Sequence, residues 1–244
     1  MAILWEDIGW PDLEEFLRTD DRAIVPVGSC EQHGRHLPFA TDYLIPDEIA
    51  RRVSARTRVP VTPPVCFGMS IHHMDFPGSI TLTPDTFAAV VRDIVESLHR
   101  HGFRRLLILN GHGGNIAPLA TALAPVLDSR RDLRIKVGHW WQDPKVEAVM
   151  RDAWGDVEYH AAAGETSAIL AIRPNIPRLQ RASHSAWQKG IEVMGPRHWK
   201  GLFPHGATGV DPKRATAEIG ERLLRAATDR FVSELEQWDP IVPR

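Results

Sequence analysis

The strongest constraint on the fold is a set of short apolar runs that each end in glycine or a polar cluster. Residues 23–28 (AIVPVG) and 104–110 (RRLLILN) read as buried strands, and residues 133–139 as a third. Between them lie stretches with helical spacing. The clearest is 84–101, where Phe87, Val90, Val91, Ile94 and Leu98 form one apolar stripe. Thr83 suits its N-cap, Pro84 its first position and Gly102 its C-terminal end. Shorter helices are expected at 11–19, 42–54, 144–153 and 165–172, and Asn115 can cap another running to about Leu127. Asp211-Pro212 opens a long closing helix with Leu223, Leu224, Ala227, Phe231 and Leu235 on one face. Residues 59–67 read as extended, and 178–211, rich in Gly, Pro and aromatics, as irregular. Such alternation predicts an α/β fold: a single domain over 1–244, built as a three-layer sandwich with a largely parallel central sheet flanked by helices. Ligands of open α/β sheets bind beyond the carboxyl ends of the strands. Two segments dense in polar residues begin there.

Composition narrows the function classes. The chain has 244 residues and a formal net charge of −2, so no strong field points to nucleic acid or to an anionic membrane. No apolar run is long enough to span a bilayer. The first residues have no basic, signal-like character, and Cys30 and Cys66 make no disulfide framework. A cytoplasmic protein is the expectation.

The first polar constellation runs from Gly28 through Glu31, Gln32 and His33 to Thr41-Asp42. On an extended chain residues two apart share a side, so Glu31 and His33 can reach one centre. Asp42 can fold back from the start of a helix to meet them. Carboxylate and imidazole donors suit Zn, Mn or Fe(II), and a carboxylate such as Asp42 can bridge two ions. From the pattern alone a bland reading leads: Asp42 caps a helix and His33 is a surface histidine. The second constellation is the turn Asn110-Gly111-His112-Gly113-Gly114-Asn115. Its glycines let backbone approach a ligand or ion closely. It lacks the Lys-Ser/Thr of a phosphate-binding P-loop. The third is His160 to Ser167. There His160 can act as an acid or base, and Glu165 is either a further ligand or a charge favouring a helix dipole.

Together these segments resemble the creatininase family. Family members carry G-S-x-E-Q-H-G-x-H-L-P followed by T-D, then N-G-H-x-x-N, then H-A-x-x-x-E-T-S. This chain has Gly28 to Pro38, Thr41-Asp42, Asn110 to Asn115 and His160 to Ser167 in that order. The loop His72 to Ser79 resembles a family loop near the substrate. The resemblance implies two divalent metal ions per chain and hydrolysis of a C–N bond by a bridging water. By matching position, Glu31 and His112 would hold one ion and His33 the other, with Asp42 between them. His160 would move a proton to the departing nitrogen. Expected substrate contacts are Ser70, His73, Gly113 and Trp141. The resemblance also implies a homo-oligomer, often a hexamer.

Two departures bear on the substrate. Creatininase itself has N-G-H-x-E-N, whose glutamate is a metal ligand, and here that place is Gly114. Glu165 is the expected replacement. The tryptophans that creatininase places around its substrate have no match just before His160. Both changes point away from creatinine, toward another small cyclic amide or formamide. A peptidase trimming a short modified peptide, as in the mycofactocin branch, is the alternative, and a catalytically inactive metal-binding subunit a third. His36 is either a hydrogen-bond partner of a ligand or simply structural. Cys30 reads as packing, and His184, Trp187, His198, Trp199, Phe203 and His205 belong to a segment that forms either a lid or a subunit contact.

Overall fold

The structure is a computed structural model that describes residues 1–156, 159–186 and 194–238. Its centre is a parallel sheet in the order β1 (Arg22–Val27), β2 (Arg105–Asn110), β3 (Arg134–His139). All three strands therefore point their carboxyl ends the same way. The 59–67 segment is extended as expected and covers the β1 edge, through bridges from Val61 to Ile24 and from Val65 to Val27.

The helices are α1 (Trp10–Phe16), α2 (Thr41–Thr57), α3 (Pro84–Arg100), α4 (Ile116–Ser129), α5 (Pro144–Trp154), α6 (Ala163–Ile172), α7 (Pro196–Leu202) and α8 (Ala217–Glu236). Strand residues alternate between two cores, as the two-residue period of a strand requires. Ala23, Val25, Val27, Leu106 and Ile108 face α3 and α4. Ile24, Leu107 and Leu109 face α2, α5, α6 and α8. Three layers follow directly from this alternation.

Local capping chemistry explains several boundaries. Thr83 accepts a hydrogen bond from the Thr86 N–H and starts α3, as its sequence predicts. The closing helix begins later than expected. Residues 212–214 form a separate 3-10 turn, and Thr216 caps α8 by accepting from the Ile219 N–H. Asn115 does not cap α4. Its side chain instead accepts from the Met69 N–H (3.0 Å) and donates to the Gly28 carbonyl (3.0 Å), tying together the loops after β1 and β2. Within 178–211 the structure contains a 3-10 turn at Leu179–Arg181 and the helix α7, while Trp187 lies outside the described residues.

Candidate metal centre

The site forms where β1, β2 and β3 end. Asp42 sits in the first turn of α2, directly over the ends of β1 and β2, because two glycines make room for it. A Cβ on Gly28 would lie 2.4 Å from the Asp42 carbonyl oxygen, and one on Gly111 only 2.0 Å from it. Glu31 and His33 come from the loop after β1, His112 from the turn after β2, and Glu165 from the first turn of α6. Ala161, between His160 and α6, is held in the left-handed region at φ 50°, a strain typical of functional sites.

Asp42 divides its two oxygens. Oδ1 lies 2.9 Å from His33 Nε2 and Oδ2 lies 3.0 Å from His112 Nδ1. Glu31 Oε2 is 3.3 Å from His112 Nε2, and Glu165 Oε1 is 3.7 Å from His33 Nε2. Glu31, Asp42 and His112 bring one ligand atom each within 4.8 Å of one another, as do His33, His160 and Glu165. The atoms do not satisfy each other. Both Glu31 oxygens, His33 Nε2 and Asp42 Oδ2 are buried without a hydrogen-bond partner, although opposite atoms lie about 3 Å away. Donor atoms converging on shared points without bonding geometry, at a depth where an unpaired carboxylate is costly, fit a metal-binding site. The outer contacts also orient the rings. His33 Nδ1 faces the Glu31 carbonyl (3.1 Å) and His112 Nε2 the Met69 carbonyl (3.0 Å), leaving His33 Nε2 and His112 Nδ1 turned to Asp42.

Electrostatics agree. Burial opposes charge on His112, yet Glu31 and Asp42 push it up to about 9. Burial likewise opposes charge on His33, but Asp42 and Glu165 raise it well above the usual histidine range. Burial would raise Glu31, but His112, His73 and His160 hold it well below the carboxylate range. His160 moves the other way: burial, with His73 and His33 beside it, keeps it neutral.

A cavity of about 590 Å³ opens onto this cluster. Glu31, Asp42, His112, Glu165, His160, His73, Gly113 and Trp141 all line it, and His33 lies just behind. Ser70 does not. It is fully buried, its hydroxyl hydrogen-bonded to that of Ser29 and 3.3 Å from His112 Nε2, so it supports a histidine rather than facing the cavity. His36 follows the structural reading: its Nε2 meets Thr166 Oγ1 at 3.0 Å, not a candidate ligand. Glu165 Oε2 accepts the Ala161 N–H at 2.6 Å, so only Oε1 remains for the centre. At Gly114 a Cβ would lie 2.2 Å from the Met69 carbonyl oxygen and 2.4 Å from His112 Nε2, so this backbone admits no acidic side chain there.

Two aromatic residues of the wall went unassigned in the sequence. Trp199, from α7, stands edge-on to His73 (4.4 Å between centroids) and to His160 (5.4 Å). Tyr159 also lines the cavity. Only the abundance of aromatics in 178–211 hinted at Trp199.

A model of the creatininase family, described as creatinine amidohydrolase, matches residues 6–235. The chain belongs to this family. Its relatives include a mycofactocin precursor peptide peptidase of Mycobacterium tuberculosis (strain ATCC 25618 / H37Rv), 30% identical over 251 residues, 96% of this chain and 92% of the relative. A creatinine amidohydrolase of Pseudomonas putida is 30% identical over 264 residues, covering 96% of each chain. A solved structure described as "Creatininase Mn" superposes with a TM-score of 0.88 at 26% identity, covering 98% of this chain and 100% of that one. This creatininase-family hydrolase is therefore similar over nearly its whole length to enzymes of more than one named activity.

Proposed function

We propose that the protein is a dinuclear metal-dependent amidohydrolase that cleaves the C–N bond of a small cyclic amide or formamide. The observation that carries this reading is the set of buried, unpartnered ligand atoms on Glu31, His33 and Asp42 at the floor of the cavity. Glu31, His112 and one oxygen of Asp42 would hold one ion; His33, Glu165 and the other oxygen of Asp42 would hold the second. Two divalent ions, Zn, Mn or Fe(II), would supply Lewis acidity and a water acidified toward neutral pH.

The remaining residues prepare the reaction. Hydrolysis places OH on the carbonyl carbon and a proton on the departing nitrogen. The attacking water is the source of that proton, and His160, neutral and at the cavity wall, would assist its transfer to the nitrogen. His73 stacks against it at 4.4 Å between centroids. Trp141, Tyr159 and Trp199 make an apolar wall that limits water and orients a planar amide. Gly113 leaves its side of the opening clear, since a Cβ there would meet nothing within 4 Å. A homo-oligomer is part of the proposal.

A second reading is favoured by Gly114 and by the peptidase relatives: a short peptide end entering the same cavity. One experiment tests both. Purified protein is reconstituted with Zn, Mn or Fe(II), its metal counted, and the holoenzyme offered small lactams, formamides and short peptides. Two ions per chain with turnover of the small amides supports the first reading, and turnover of peptides alone the second. Failure to retain any transition metal would sink both.

A further inference from the structure

Gln32 lies between two named ligand positions but has no part in the proposed chemistry. It is 5% exposed, and the backbone fixes which way its amide points. Gln32 Oε1 accepts the Gly34 N–H at 2.9 Å. Gly206, at φ 72°, closes over the same oxygen so tightly that a Cβ there would lie 2.0 Å from it. An N–H donor requires the oxygen at that end, so the amide nitrogen must occupy the other.

That nitrogen has two partners. Gln32 Nε2 is 3.0 Å from His73 Nδ1 and 2.9 Å from His160 Nε2. An amide NH2 carries two hydrogens and no lone pair available for accepting, so both ring nitrogens must accept. A ring that accepts at one nitrogen carries its hydrogen on the opposite one. Those opposite nitrogens, His73 Nε2 and His160 Nδ1, both face Glu31 Oε1, at 3.2 and 3.7 Å. One amide thus sets two imidazoles in the same sense, with their N–H groups turned toward the metal centre. The Gln32 carbonyl oxygen, 3.1 Å from His160 Nε2, is the competing partner, and would be served only if that nitrogen carried the hydrogen.

We propose that Gln32 is a positioning residue that fixes the tautomers of His73 and His160, so that both turn an N–H toward Glu31 and the reacting centre. The pair then acts as two preorganised donors: His160 from Nδ1 and His73 from Nε2. The kinetic consequence rests on the hydrolase reading above; the tautomer assignment does not.

The test has one arm for each. Solid-state 15N NMR of histidine-labelled, zinc-loaded full-length protein, with signals assigned by His73→Gln and His160→Gln, reads the tautomers without any substrate. The expected result is Nε2–H for His73 and Nδ1–H for His160. Nε2–H on His160 overturns the proposal. Gln32→Glu keeps an acceptor for Gly34 and replaces the donor by an oxygen. It should keep two metals per chain, reverse both tautomers, and lower kcat on whichever amide is turned over by about a hundredfold with KM little changed. Unchanged kcat with intact metal content refutes it. If no amide is hydrolysed by the wild type, the hydrolase reading fails while the NMR result still decides the role of Gln32.

Discussion

Gly111→Ala isolates the steric basis of the candidate metal centre. The added Cβ would sit 2.0 Å from the Asp42 carbonyl oxygen and 2.7 Å from Pro46 Cδ, both in the first turns of α2. Restoring ordinary contact at 3.4 Å requires that end of α2 to retreat by about 1.4 Å. Gly111 is not in the left-handed region, so backbone conformation adds no penalty of its own. Overpacking of this kind costs about 1–3 kcal/mol, and contact with backbone places it near the upper end. A chain of this length loses about 2–4 °C of melting temperature per kcal/mol, so a fall of about 6–12 °C is expected. The functional loss should be larger. Metal distances tolerate only about 0.2 Å, and the displaced Asp42 is the carboxylate shared by both proposed ions. Gly113→Ala, two residues away, is the control. Nothing lies within 4 Å of its Cβ, so stability should hold or rise by about 0.4–1 kcal/mol through the unfolded state. Thermal melts and elemental analysis of both variants check the argument. A Gly111→Ala protein that melts with the wild type and holds two ions would refute it.

Three further outcomes are expected. In the metal-free protein His112 titrates at about 9 and His33 is also raised, so metal binding near pH 7 must release protons. Zinc affinity should climb by about tenfold per pH unit for each proton released, up to about pH 9. Calorimetry in buffers of different ionisation enthalpy measures this, and a pH-independent affinity would count against the ligand assignment. Burial, with His33 nearby, pushes His36 down to about 4. The unfolded chain protonates it near 6.5, so the unfolded state gains the extra proton and stability falls as pH drops from about 6.5 to 4, by about 3 kcal/mol. Urea melts of wild type and His36→Gln should diverge across that window, and parallel curves would contradict the assignment. Glu165→Gln should lower metal content from two ions per chain to one, because Oε1 is its only oxygen free for the centre. Retention of two ions would show that Glu165 is not a ligand.

The strands and most helix positions were legible because their signals are local. Apolar runs at 23–28 and 104–110 and the cap at Thr83 act within a few residues of themselves. The candidate ligands were legible for a related reason. Glu31, His33 and His112 lie in short motifs where strands end, and parallel strands bring such ends to one face. What misled was direction. Ser70 stands in a loop that borders the cavity, yet its hydroxyl turns to Ser29. Asn115 has the chemistry of an N-cap, but the loops from β1 and from Met69 arrive within reach of its amide and take it instead.

The residues from Gly28 to Asp42 and from Asn110 to Asn115 thus carry, in their order alone, the carboxylates, imidazoles and glycines of a candidate metal centre. Tertiary structure decided the rest. Only packing brings Trp199 from α7 against His160, and only packing sets Gln32 between His73 and His160. The absence of an acid at position 114 is written in the sequence. The physical reason is not: the Met69 carbonyl, far away along the chain, occupies the space a side chain would need.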